Sequence, residues 1–161
     1  MSSKQKPELQ LLPSYLAAIK NSVGSNLFRN EFYLIDGKSI DVLDDGDLSC
    51  ATYVTGILYL FNLISERHTT VIETLKDLSA SGWYELKRPR PGAVIHWGFM
   101  KRDDGTQGTH HHVGFWLDPD TAVSNDSGTR VIWKHHPTYG MLPNGEAKRD
   151  ILAYYWHKKL V

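Results

Sequence analysis

Apart from one short hairpin-like stretch at Glu31–Leu43, the apolar residues change their spacing once along this chain, and the change falls at Gly82. Ahead of Gly82 they recur at helical intervals. Beyond it they fall into short apolar or alternating runs, punctuated by Gly, Pro, Asn and Asp. Helix-period and strand-period stretches kept apart in this way argue for an α+β fold, with helices first and an antiparallel sheet of about five strands after them. The 161 residues suit one domain, expected over 13–161 behind a flexible leader at 1–12. A chain of this size buries a core without disulfides or metal staples.

Within the helical part, Pro13-Ser14 opens a helix pattern through Tyr15, Leu16, Ile19 and Val23 that ends near Gly24. A short second helix is expected after Ser25, using Leu27, Phe28 and Phe32. Glu31–Leu43 reads as an extended hairpin turning at Asp36-Gly37. Leu48–Ile64 is apolar on most faces, which marks it as the buried central helix. Thr69 or Thr70 caps a further helix over Val71–Ser81, with Glu73 placed as in a capping box. Strands are expected at 84–87, 93–99, 111–117, 121–125, 130–134 and 151–157.

The formal net charge is zero. That removes the electrostatic case for nucleic acid or an anionic membrane as the main partner. The longest apolar run is interrupted by Asn62 and Ser65, so no transmembrane segment is expected. Met1–Gln10 is polar and holds no apolar core of a secretory signal. One cysteine excludes an intrachain disulfide and fits a reducing compartment. The expectation is a monomer that is cytoplasmic, or exported by a non-classical or partner-dependent route.

That one cysteine carries the chemistry. A thiol is nucleophilic as the thiolate, and its free pKa is about 8.5. Cys50 follows Asp47 and Ser49, either of which can cap the central helix. This places Cys50 in the first turn, where free N–H groups and the helix dipole favour an anion. Asp44, Asp45 and Asp47 act the other way unless they turn aside. Taken alone, a single Cys beside an apolar helix is more often a small buried hydrophobe.

The second half of the chain adds a base. His110-His111-His112 leads into Val113-Gly114-Phe115-Trp116. On a strand, His112 and Gly114 share one face, an imidazole followed by space. A third group normally orients such a histidine. Asn125 is the first choice, with Ser124 and Asp126 as alternatives, although the same run also suits a turn. The five histidines at 110–112 and 135–136 invite a metal reading. Consecutive strand residues point to opposite faces, so a compact shell is awkward, and neither metal nor other cofactor is expected. Ser49, Tyr53 and Trp97 are candidates for the oxyanion site and cleft wall.

These motifs together resemble the NlpC-type cell-wall peptidases and their CHAP amidase relatives, which are papain-like. The likeness runs over Leu43–Lys134. It consists of Cys50 at the start of a central helix, Arg90-Pro91-Gly92-Ala93-Val94-Ile95-His96-Trp97, then His112-Val113-Gly114-Phe115-Trp116. The departures are Ser49-Cys50-Ala51-Thr52 around the nucleophile, Ala93 after Pro-Gly, and Ala122-Val123-Ser124-Asn125 at the third position. The resemblance implies a cysteine hydrolase cleaving an amide bond in a peptidoglycan-type peptide or glycopeptide through a thioester. Cys50 then matches the nucleophile, His112 the base and Asn125 or a neighbour the orienting residue. An inactive binding module, or an intracellular acyltransferase or deamidase using the same pair, are the alternatives.

Overall fold

A computed structural model describes residues 6–161. The part of the expected leader at 1–5 lies outside the described residues. Three helices are followed by a sheet, an α+β arrangement. The helices are α1 (Leu11–Asn21), α2 (Cys50–Leu60) and α3 (Val71–Ala80). Between α1 and α2 lies a hairpin of β1 (Phe32–Ile35) and β2 (Lys38–Asp41). The main sheet holds β3 (Trp83–Leu86), β4 (Val94–Met100), β5 (His112–Asp118), β6 (Thr121–Asp126), β7 (Val131–His135) and β8 (Arg149–His157). Its order is β3-β8-β4-β5-β6-β7, with every pair antiparallel. Six strands are present where about five were expected. Each lies on one of the six short runs read as strands, the one at 84–87 forming β3, a four-residue edge strand that pairs only with β8.

Local chemistry accounts for the element boundaries. Helix α1 begins at Leu11, two residues ahead of the expected start. Pro13 is tolerated there because the first-turn N–H it lacks has no intrahelical partner. Leu11 and Leu12 therefore pack against the core instead of belonging to a leader. No helix follows Ser25. That segment forms turns, and Phe28 leans on Tyr53 at 5.5 Å between ring centroids, in space that Gly56 leaves open. The hairpin turns at Asp36-Gly37, both with positive φ. Helix α2 is shorter than its apolar pattern and stops at Leu60, after which Asn62 takes a left-handed conformation. Thr70 caps α3 by accepting from the Glu73 N–H at 3.3 Å.

Strand alternation divides the buried side chains between two clusters. Val94, Val113, Phe115, Val123 and Ile132 pack with Ala51, Val54, Ile57 and Leu58 of α2 in the larger one. Their strand neighbours Ile95, Trp97 and Ala122 form the smaller one, against Trp116, Tyr139 and Ile151. Helix α2 thus covers one face of the sheet, and its first residue, Cys50, meets the backbone of Val113 near the start of β5.

Candidate functional site

Cys50 is the first residue of α2, and Ser49 is the N-cap. Ser49 makes no capping bond, and its buried Oγ has no hydrogen-bond partner. The competing carboxylates turn aside. Asp45 binds Arg29 at 2.8 Å and Arg130 at 3.1 Å, and Asp47 is exposed. The expected lowering of the thiol pKa does not follow. Desolvation dominates and pushes the thiol up, against the backbone amides of Val113 and Ala51 and the positive charge of Arg149, which favour the thiolate. The free site therefore holds Cys50 as a neutral thiol. The Val113 contact places the thiol beside the backbone one residue from His112.

The three consecutive histidines go to different places. His110 is exposed. His111 Nδ1 lies 2.8 Å from His96 Nε2. The His112 ring lies tilted against Trp97 and edge-on to Tyr139, with centroids at 5.6 and 6.1 Å, and its buried Nε2 has no partner. Burial holds the His112 pKa well below the ordinary value. The charges of Arg149 and His135 push it the same way, and the backbone of Asn125 opposes them. His112 is therefore neutral, with one nitrogen on main chain and one free. Gly114, two residues on, is needed where it stands. A Cβ there would meet Val123 O at 2.6 Å and Trp97 Cζ3 at 2.9 Å.

The three candidates for the orienting group behave differently. Asn125 faces the α2 side, and its amide donates to Gly46 O at 2.8 Å, bracing the loop that enters α2. Its side chain is not what steadies His112; its backbone is. This corrects the expectation of an amide side chain on the imidazole, and the cause is strand phase. Ser124 faces the imidazole side. Its Oγ lies 2.8 Å from His135 Nε2 and 2.9 Å from Tyr139 Oη, a satisfied buried network beside His112. Asp126 closes the β6–β7 turn by accepting from Thr129 N–H at 3.0 Å and Oγ1 at 2.6 Å.

Two expected cleft residues lie elsewhere. Tyr53 is fully buried in the core, its hydroxyl 2.8 Å from Ser22 Oγ and its ring edge-on to Phe115. Trp97 is fully buried as well, and its indole N–H donates to Pro137 O at 2.7 Å. Trp97 is the floor beneath His112 and His135 rather than a wall. Among the described residues, no three His, Cys, Asp or Glu side chains converge as metal ligands.

A cleft of about 640 Å³ opens over His112, Asn125, Asp126, Trp133, Tyr139 and Arg149. Cys50 does not line it. Tyr139 and Arg149 are the functional candidates that sequence reasoning missed. Tyr139 has φ of 60°, a left-handed conformation costly for an aromatic residue, ahead of Gly140. Arg149 is buried, with its guanidinium carbon 5.3 Å from the Tyr139 ring centroid. Its signal was present: Arg149 and Ile151 are the less exposed residues of an alternating run in which Asp150 and Leu152 are exposed. Lys148 and Asp150 on either side made it look like part of a solvated charge run. With the cleft described, comparison with known proteins adds no name: no family model matches the chain, and no curated protein matches it.

Proposed function

We propose that this chain is a papain-like cysteine hydrolase that cleaves an amide bond, in a peptidoglycan-type peptide or glycopeptide, through a thioester. The substrate class comes from the resemblance of the Cys50, Pro91-Gly92 and His112-Val113-Gly114 motifs to the NlpC and CHAP families. One observation carries the chemistry. Cys50 opens α2 against the Val113 amide, while His112 opens β5 with a buried, unpartnered Nε2.

In this reading both groups start neutral. His112 Nε2 takes the thiol proton as Sγ attacks the amide carbonyl carbon, so charge separates only along the reaction. The Cys50 backbone N–H at the helix start receives the developing oxyanion. On collapse the C–N bond breaks, and the imidazolium gives its proton to the leaving amine. Water, deprotonated by His112, then attacks the thioester, releasing a carboxylic acid and the free thiol. The orienting acceptor for His112 is the backbone carbonyl of Asn125, with Ser124, His135 and Tyr139 fixing the ground beside it.

The test is hydrolysis of purified muropeptides by the unaltered chain, by Cys50→Ala and by His112→Ala. Activity in the first alone is expected, with a thioester trapped on Cys50 and seen by mass spectrometry. Full activity in Cys50→Ala sinks the proposal. A second reading, an inactive binding module of the same fold, draws on the raised thiol pKa and on the absence of Cys50 from the cleft wall. It expects slow alkylation of Cys50 at neutral pH and retained muropeptide binding without turnover.

A further inference from the structure

Four basic side chains line the cleft beside His112, and three of them are engaged. Lys101 Nζ lies 2.9 Å from Asp150 and 3.5 Å from Glu146. Lys148 Nζ lies 4.0 Å from Asp103. Arg102 donates to Thr106 Oγ1 at 3.3 Å. Arg149 is the exception. It is only 9% exposed, its Nε is buried without an acceptor, and no carboxylate among the described residues pairs with it. Burying a charge without a partner is expensive, and a charge kept that way beside an open cleft calls for an explanation.

The backbone holds Arg149 in place. Its N–H donates to Thr138 O at 3.1 Å, and β8 pairs it opposite Met100. The ring of Tyr139 supports the guanidinium from one side. A sheet position, a stacking partner and empty donors together make a prepared anion seat.

We propose that Arg149 is the anchor for a carboxylate of the ligand, so that the cleft takes an amide substrate bearing a free carboxylate in preference to a neutral one. Only the word substrate rests on the hydrolase reading; the docking does not. Arg102 also lacks a carboxylate but is exposed and bonded to a hydroxyl, which leaves one buried, unpaired cation to match one monoanion. A phosphate dianion would bring excess negative charge toward Asp103 and Asp126 on the same walls. A planar carboxylate meets the guanidinium fork with two parallel N–H bonds. Docking also neutralises a charge that, after burial, depresses the basicity of His112. The contact that positions the ligand therefore makes His112 a better base.

The experiment follows the Arg149 Nε–H resonance of the full chain, assigned by its loss in Arg149→Lys. The probes are N-acetylglycylglycine, its C-terminal carboxamide and inorganic phosphate. The carboxylate probe is expected to shift that resonance and to bind about tenfold or more tightly than the carboxamide, the worth of one charge-assisted hydrogen bond. Arg149→Gln should remove the preference. If that variant fails to fold, the comparison of probes on the unaltered protein still decides. Equal affinity for the two glycyl probes, or no binding of either up to their solubility, overturns the proposal. Phosphate binding as tightly as the carboxylate overturns the choice of anion. Hydrolysis by Cys50→Ala would instead overturn the hydrolase reading and leave the probe result standing.

Discussion

The two faces of the six-stranded sheet are built from the same strands and do opposite things. Under α2, Val94, Val113, Phe115, Val123 and Ile132 meet apolar partners. On the other face, their neighbours His112, Ser124 and His135 gather with Trp97 and Tyr139. The first face is closed and mainly apolar, with Asn125 and His96 among its buried polar exceptions. The second is crowded with imidazoles and hydroxyls, and Arg149 stands over it without a counter-charge. The contrast separates two roles by strand phase: one set of residues holds the sheet against its helix, and the next set is kept polar at a cost to stability. Change on the first face should register in folding, and change on the second in chemistry.

The largest effect expected is on the closed face. Phe115 is fully buried, edge-on to both Tyr15 and Tyr53. Phe115→Ala should lower stability by about 3–5 kcal/mol, the usual cost of a large core aromatic. A shift of the denaturant midpoint at constant slope is the readout. His112→Ala, three residues away on the same strand, should lose the proposed hydrolysis with a clearly smaller shift of midpoint than Phe115→Ala gives. It removes an imidazole whose Nε2 satisfies nothing. If the two variants lose stability equally, the division of labour between the faces fails.

The closed face was the legible one. Its strands and α2 announce themselves by spacing, and Thr70 and Gly82 mark the ends of α3, because burial of an apolar stripe is a regular, local code. The site was legible only in part. Cys50 and His112 stand out through residue type and through their places at the starts of elements. Asn125 misled because one step of strand phase decides whether a side chain sees the imidazole or the α2 entry loop. Tyr53 and Trp97 misled because an aromatic residue reads the same in a core as in a cleft wall. Arg149 was missed because Lys148 and Asp150 disguise its strand phase, and because Tyr139 and His112, the neighbours that give it a role, reach it only through the fold.

Acid should act more gently and on both faces, since His96 shares the strand phase of Val94 on the α2 side and His135 that of Trp133 on the other. Burial brings both His96 and His135 down to about 4 from the ordinary 6.5, aided for His96 by the charge of His111. Lowered pKa values mean that the native state refuses protons the unfolded chain accepts. Their contribution to stability is complete above about pH 6.5, falls as pH drops, and is gone below about pH 4. The thermal midpoint should therefore slope downward through that window. His135→Gln should flatten the slope, since a glutamine cannot titrate. A midpoint unchanged from pH 7 to pH 4 would falsify the buried, neutral state of these imidazoles.

Asn125 gives the smallest effect and the finest discrimination, because one residue serves both faces. Its amide donates to the buried Gly46 carbonyl at 2.8 Å, on the side of α2. Its backbone contacts the His112 ring, on the side of the cleft. Asn125→Ala removes the first contact and keeps the second. Loss of the donor leaves a buried carbonyl unsatisfied and should cost about 1–3 kcal/mol. The entry loop into α2 would loosen, while the imidazole keeps its orienting acceptor. Hydrolysis by the folded fraction should then stay within a few-fold of the unaltered chain. A collapse of kcat with an unmoved midpoint would return the amide side chain to the imidazole, and with it the triad in its usual form.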